Sequence, residues 1–165
     1  MIWVSIFASL ILLFSLIGGI REGAVKQFFS LIALLIAIPL AGISYHLLAG
    51  LLSFIRGENW ENFLGFFIML AVISVILYFV FLLPRRRAEK DWKKGFLFRL
   101  IGAAFNIFNA AIGIVVFALV LHAYPIFDWL ERAVSGSGVI IWLVSRLSFV
   151  QAVLPEVFRQ AATMV

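Results

Sequence analysis

The chain has 165 residues, 65% of them apolar and only 13% charged, with a formal net charge of +5. A soluble domain of this size is about half apolar and about a quarter charged, because its surface must face water. The surplus excludes an ordinary soluble domain, and the lack of cysteine excludes disulfides, thiol chemistry and Cys-type metal sites. What remains is an all-α membrane protein with about four transmembrane helices followed by an amphipathic C-terminal helix.

Residues 2–20 carry no charge, and a run of this length spans the roughly 30 Å hydrocarbon core at about 1.5 Å per residue. The first charge is Arg21, so no basic segment precedes the run, which reads as a retained helix rather than a cleaved leader. Gly18, Gly19, Arg21, Glu22 and Gly23 form a polar hinge. The Gly19/Gly23 spacing suits close helix packing, and the position of Gly23 at the hinge suits a turn more. Glu22 and Lys26 have the i,i+4 spacing of an interfacial ion pair. A second span is predicted near 27–48, with Pro39 inside it. Pro39 implies either a kinked spanning helix or two short segments meeting there.

The more polar stretch 50–62, with Arg56, Glu58 and Glu61, leads into a third predicted span over 63–83, closed by Pro84. Residues 84–99 form a basic connector. It holds Arg85, Arg86, Arg87, Lys90, Lys93, Lys94 and Arg99, seven of the thirteen Lys and Arg residues of the chain. A fourth span follows over 100–124 and stops at Pro125. Residues 126–158 differ in kind: within 139–154, Ser145, Ser148 and Gln151 oppose Ile140, Leu143, Leu147, Val150 and Leu154. That pattern predicts an interfacial amphipathic helix on the outer side; a short fifth span is the alternative. Residues 159–165 form a short tail.

Charge counting sets the topology. The hinge carrying Arg21 and Lys26 and the basic connector are separated by two spans, so they share a side, and the positive-inside rule makes it cytoplasmic. Both termini are then outside. Trp3, Trp60 and Trp129 each fall at an outer boundary of this arrangement, as amphipathic indoles should. Beside hydrophobic helices, the cluster Arg85, Arg86, Arg87, Lys90, Lys93 and Lys94 suits anionic headgroups rather than nucleic acid. Trp92 would anchor it to the inner surface. Membrane lipids are thus the expected partners, together with further copies of the chain or other envelope proteins.

The fourth span carries the most informative pattern. Arg99, Gly102, Asn106, Asn109 and Gly113 recur at intervals of 3, 4, 3 and 4, which places them on one helical stripe. Glycines admit a neighbouring backbone and asparagines bond across the contact, so the stripe reads first as a packing seam. The other reading is a polar lining for a passage shared in an oligomer. His46 and His122 lie near outer helix ends, with no carboxylate beside either in its own span. No nucleophile–base pair, phosphate loop or metal motif stands out, so neither catalysis nor a cofactor is expected. No ionisable residue lies mid-span, which argues against a proton relay.

The order of features resembles the colicin V production protein family (CvpA). The resemblance spans roughly residues 1–158 and is carried by Met1-Ile2-Trp3-Val4-Ser5, by Gly19 through Leu31, by Arg99-Leu100-Ile101-Gly102 and by Leu154-Pro155. It implies a small bacterial inner-membrane protein of four helices with an amphipathic C-terminal region, serving colicin V production or export and envelope homeostasis. The departures are specific. Ser5, Glu22, Gln27 and Phe98 stand where the family pattern favours Asp, Arg, an acidic residue and Asp; Asn106, Asn109 and Ala110 replace Gly, Arg and Gly. Any network built on those charges is altered in this chain.

Overall fold

The computed structural model describes residues 2–54, 57–91, 95–156 and 158. Arg56, Trp92, Lys93, Lys94 and the 159–165 tail lie outside the described residues. Seven helices follow in order: α1 (Ile2–Glu22), α2 (Ala24–Leu51), α3 (Glu58–Asp91), α4 (Phe96–Ala123), α5 (Asp128–Ser135), α6 (Gly138–Arg146) and α7 (Ser148–Val153). The first four are long and apolar enough to cross a membrane. The architecture is therefore all-α, four long apolar helices followed by shorter C-terminal ones.

Several helices outrun their hydrophobic runs. A glycine in the left-handed region (Gly23, φ 82°) separates α1 from α2, a conformation that strains any residue with a Cβ. Pro39 sits within one uninterrupted α2, so the chain does not break there into two segments. Pro84 does not end α3 either, which continues to Asp91. Beyond the proline, Arg85 Nε donates to Glu89 Oε1 across one turn at 2.8 Å, and such i,i+4 pairs support an exposed helix. At about 1.5 Å per residue, α3 is roughly 50 Å long, well beyond the hydrocarbon core. At its start, Glu58 and Glu61 lie in the first turn, where carboxylates offset the helix dipole.

Side by side, the long helices run α3–α2–α4–α1: α2 packs along both α3 and α4, and α1 packs along α4 while barely meeting α2. Lipid-compatible side chains remain exposed on the outer members, among them Phe7, Leu10 and Phe14 on α1 and Val75, Phe79 and Val80 on α3. In α4, residues 111–121 are buried at nearly every position, whereas 96–110 bury only Gly102 and Ala103. The difference comes from the C-terminal helices, which close around the C-terminal half of α4.

The region expected as one interfacial helix over 139–154 is two short helices meeting at Leu147. Its apolar stripe of Ile140, Leu143, Leu147, Val150 and Leu154 joins the same buried cluster as Val4, Ile38, Phe66 and Val115. This stripe therefore faces protein rather than lipid. The break at Leu147 lets α6 lie against α1 and α4 while α7 reaches α2 and α4. Phe158 continues the contact, packing on Tyr45, Phe66 and Tyr124.

The two ends of the bundle differ chemically. At one, Trp3 lies 6.1 Å from Trp129, and Phe127 bridges Trp129 to Trp60. Asn59 Nδ2 donates to the Pro125 carbonyl at the same end. At the other, the α1–α2 hinge meets the C-terminal part of α3 and the N-terminal part of α4.

Candidate functional site

The stripe on α4 divides between two environments. Its first part meets α1 at very close range. A Cβ on Gly19 would fall 2.5 Å from both Ala103 Cα and the Gly102 carbonyl oxygen, and one on Gly102 would fall 2.7 Å from the Gly23 carbonyl carbon. Asn106 extends the crossing by donating from Nδ2 to the Ser15 carbonyl at 2.7 Å. Gly102 and Asn106 are thus seam residues, joined by Gly19 and by Ser15, whose carbonyl no side-chain pattern could mark as an acceptor; Asn106 also lines the cavity described next.

Asn109 and Gly113 turn elsewhere. A Cβ on Gly113 would meet nothing within 4 Å. Both residues line a cavity of about 460 Å³ bounded by α2, α3 and α4. The size lies within the ordinary range for small-molecule sites. Ser30 from α2 and Ser74 and Tyr78 from α3 add hydroxyls to its wall, and Phe29, Leu34 and Phe81 add apolar surface. Asn109 Nδ2 donates to Ser30 Oγ at 2.8 Å. Its Oδ1 is buried with no hydrogen-bond partner, an arrangement that calls for a reason because a buried polar atom without a partner is costly.

Lys26 and Arg85 lie at the hinge end of this cavity's lining. Each has a carboxylate neighbour: Lys26 Nζ is 2.6 Å from Glu22 Oε1, and Arg85 is paired with Glu89. Glu22 is held further by Gln27, a buried side chain whose Nε2 donates to Glu22 Oε2 at 2.7 Å. The two carboxylates line a different space. That second cavity, about 750 Å³, gathers Arg21, Lys26, Arg86, Lys90 and Arg99 around Glu22 and Glu89. Arg99 belongs to this basic bowl, exposed to solvent, and not to the seam. Arg87 is exposed on the same helix.

A third cavity, about 520 Å³ and almost wholly apolar, lies against α1 and α4 beneath α5 and α6. Lys26 is common to the bowl and the polar cavity, and Ala110 and Gly113 are common to the polar and apolar cavities. The three spaces adjoin in series from the hinge end of the bundle to the tryptophan end.

The histidines take no part in this series. His122 Nδ1 lies 3.0 Å from Glu131 Oε1, a partner supplied by α5 and invisible to a search within its own span. The pair meets at an angle that makes no hydrogen bond. Ser9 and Ser15 bond to carbonyls one turn back, whereas Ser5 reaches Ser137 at 2.9 Å. No group of three or more His, Cys, Asp or Glu with metal-site spacing occurs among the described residues.

Residues 4–148 match the family described as colicin V production protein. This chain belongs to that family. The match takes in all four long helices, the hinge and the whole α4 stripe. The chain has no match among curated proteins and none among solved structures.

Proposed function

We propose that the chain is a non-enzymatic, multi-pass protein of the bacterial inner membrane that supports colicin V or related toxin production or export and envelope homeostasis. Family membership over residues 4–148 supports the process. The polar cavity at Asn109, bounded by three of the four membrane-length helices, supports a working site inside the bilayer. Both termini lie outside and the basic end lies in the cytoplasm, as the distribution of Lys and Arg requires. Arg85, Arg86, Arg87, Lys90, Lys93 and Lys94 meet anionic headgroups there.

A complementation experiment tests this reading. In a toxin-producing strain lacking its own copy, the chain restores toxin release and resistance to envelope stress, and Asn109→Leu reduces both at equal membrane abundance. Full rescue by Asn109→Leu would remove the cavity from the function. A second reading, a small oligomeric channel or transporter, is favoured by Asn109 and Gly113 facing open space instead of a helix. Solute flux in reconstituted vesicles, measured with oligomeric state, separates the two. Flux altered by Asn109→Ser with assembly unchanged supports the pathway; no flux across a broad solute panel from folded protein eliminates it.

A further inference from the structure

We propose that the polar cavity binds a single anionic amphiphile, its phosphate-bearing head between Lys26 and Arg85 and its hydrocarbon chain passing over Gly113 into the apolar groove. The inference rests on the reading of that cavity as the working site and names the class of molecule it takes.

Three observations lead to it. The first is how charge is divided between neighbouring spaces. Lys26 and Arg85 line the polar cavity, while their carboxylate partners Glu22 and Glu89 line only the basic bowl. Both cations are ion-paired on the bowl side, Lys26 with Glu22 at 2.6 Å and Arg85 Nε with Glu89 at 2.8 Å, so what they offer the cavity is their remaining N–H donors, in a wall without a carboxylate. Arg85 is only 19% exposed at its side chain, so its charge is held partly out of water, where an anion is bound more strongly.

The second is the middle of the cavity. Ser30, Ser74 and Asn109 place hydroxyl and amide groups deep along the helices, Asn109 lying about 15 Å along α4 from Arg99 by helical rise. Its Oδ1 is buried without a protein partner, and the hydroxyls of Ser30, Ser74 and Tyr78 line the same wall. Polar groups at this depth need partners that hydrocarbon does not provide. The ester oxygens below a phosphate accept hydrogen bonds from hydroxyl donors such as these. A hydrophobic partner helix does not.

The third is Gly113. It opens the polar cavity onto a groove walled by Trp3, Phe7, Ile11 and Phe117, and no atom stands where its side chain would be. A soluble phosphate compound uses the cationic end and has no need of this groove. A second copy of the chain covers the groove but brings its own Lys26 and Arg85 to the same face. A lipid with an acidic head fits all three parts at once.

Native mass spectrometry of the full-length protein in detergent tests this directly, with phosphatidylglycerol, phosphatidylcholine and glycerol 3-phosphate as probes. One phosphatidylglycerol is expected to remain bound, about tenfold more tightly than phosphatidylcholine, the factor set by one charge-assisted hydrogen bond. Lys26→Gln with Arg85→Gln removes the preference. Gly113→Leu weakens retention of the lipid while leaving the thermal midpoint unchanged, which guards against the double variant's merely disturbing the hinge. Arg86→Gln with Lys90→Gln, which removes the same number of charges from the bowl, weakens binding clearly less than the Lys26/Arg85 pair does. Equal retention of the two lipids overturns the proposal, as does displacement of phosphatidylglycerol by equimolar glycerol 3-phosphate, which marks a soluble-phosphate site. Equal weakening by the bowl variants reduces the effect to surface attraction and overturns it too. Binding is read without toxin release, so a failed complementation leaves this result standing, and the converse holds.

Discussion

Gly19→Ala should destabilise the protein strongly, although the same change on an exposed helix face raises stability. Without a tertiary contact, replacing a helical glycine by alanine gains roughly 0.5–1 kcal/mol from the unfolded chain and from helix propensity. At Gly19 the new methyl would stand 2.5 Å from Ala103 Cα, 2.5 Å from the Gly102 carbonyl oxygen and 2.8 Å from Asn106 Cβ. Carbon atoms prefer separations of about 3.5–4.0 Å, and two of the three obstacles are backbone. Relief therefore requires α1 and α4 to part by about 1 Å. Overpacking of this kind costs about 1–3 kcal/mol. The Asn106–Ser15 hydrogen bond, 2.7 Å in the intact seam, then stretches past useful length and removes about 0.6 kcal/mol more, the average for such bonds in membranes. The net expectation is a loss of about 1–3 kcal/mol, roughly a 5- to 150-fold change in the folding equilibrium. Reversible unfolding in mixed micelles, followed by tryptophan fluorescence, measures it. A neutral or stabilising Gly19→Ala would refute the close α1–α4 crossing.

Three further outcomes follow from the same geometry. Gly113→Ala should leave stability unchanged or raise it by up to about 1 kcal/mol in the same assay, because the new Cβ meets nothing within 4 Å; a loss comparable to Gly19→Ala would mean that the cavity is filled by packed protein. Ser5→Ala should cost about 1–3 kcal/mol, because the fully buried Ser137 hydroxyl loses its partner on α1; replacing both serines by alanine should recover much of that cost. Single cysteines at Glu58 and Glu156 should react with an impermeant maleimide on intact cells and one at Arg86 should not, in a chain with no cysteine of its own; outside labelling at Arg86 would reverse the orientation.

Much of the membrane architecture was legible in the amino-acid order because it depends on one-dimensional quantities. An uncharged run long enough to cross hydrocarbon specifies a long apolar helix whatever packs against it, and 2–20, 27–48, 63–83 and 100–124 each had that length. The hinge at Gly23 was similarly local, since only glycine sits easily at its φ of 82°. The α4 stripe was also readable as a stripe, but helical spacing identifies a face and not its neighbour. Tertiary packing gave Gly102 to α1, Asn106 to both α1 and a cavity, Asn109 and Gly113 to that cavity, and Arg99 to the basic bowl. The same limit applies to His122, whose carboxylate partner comes from α5, and to the apolar face of 139–154, which would suit lipid and protein equally. Burial of that face was decided by where the bundle left uncovered surface around the C-terminal half of α4. Hydrophobic length is summed along a chain; which surfaces meet depends on how separate helices are placed in space, and only the folded structure contains that placement.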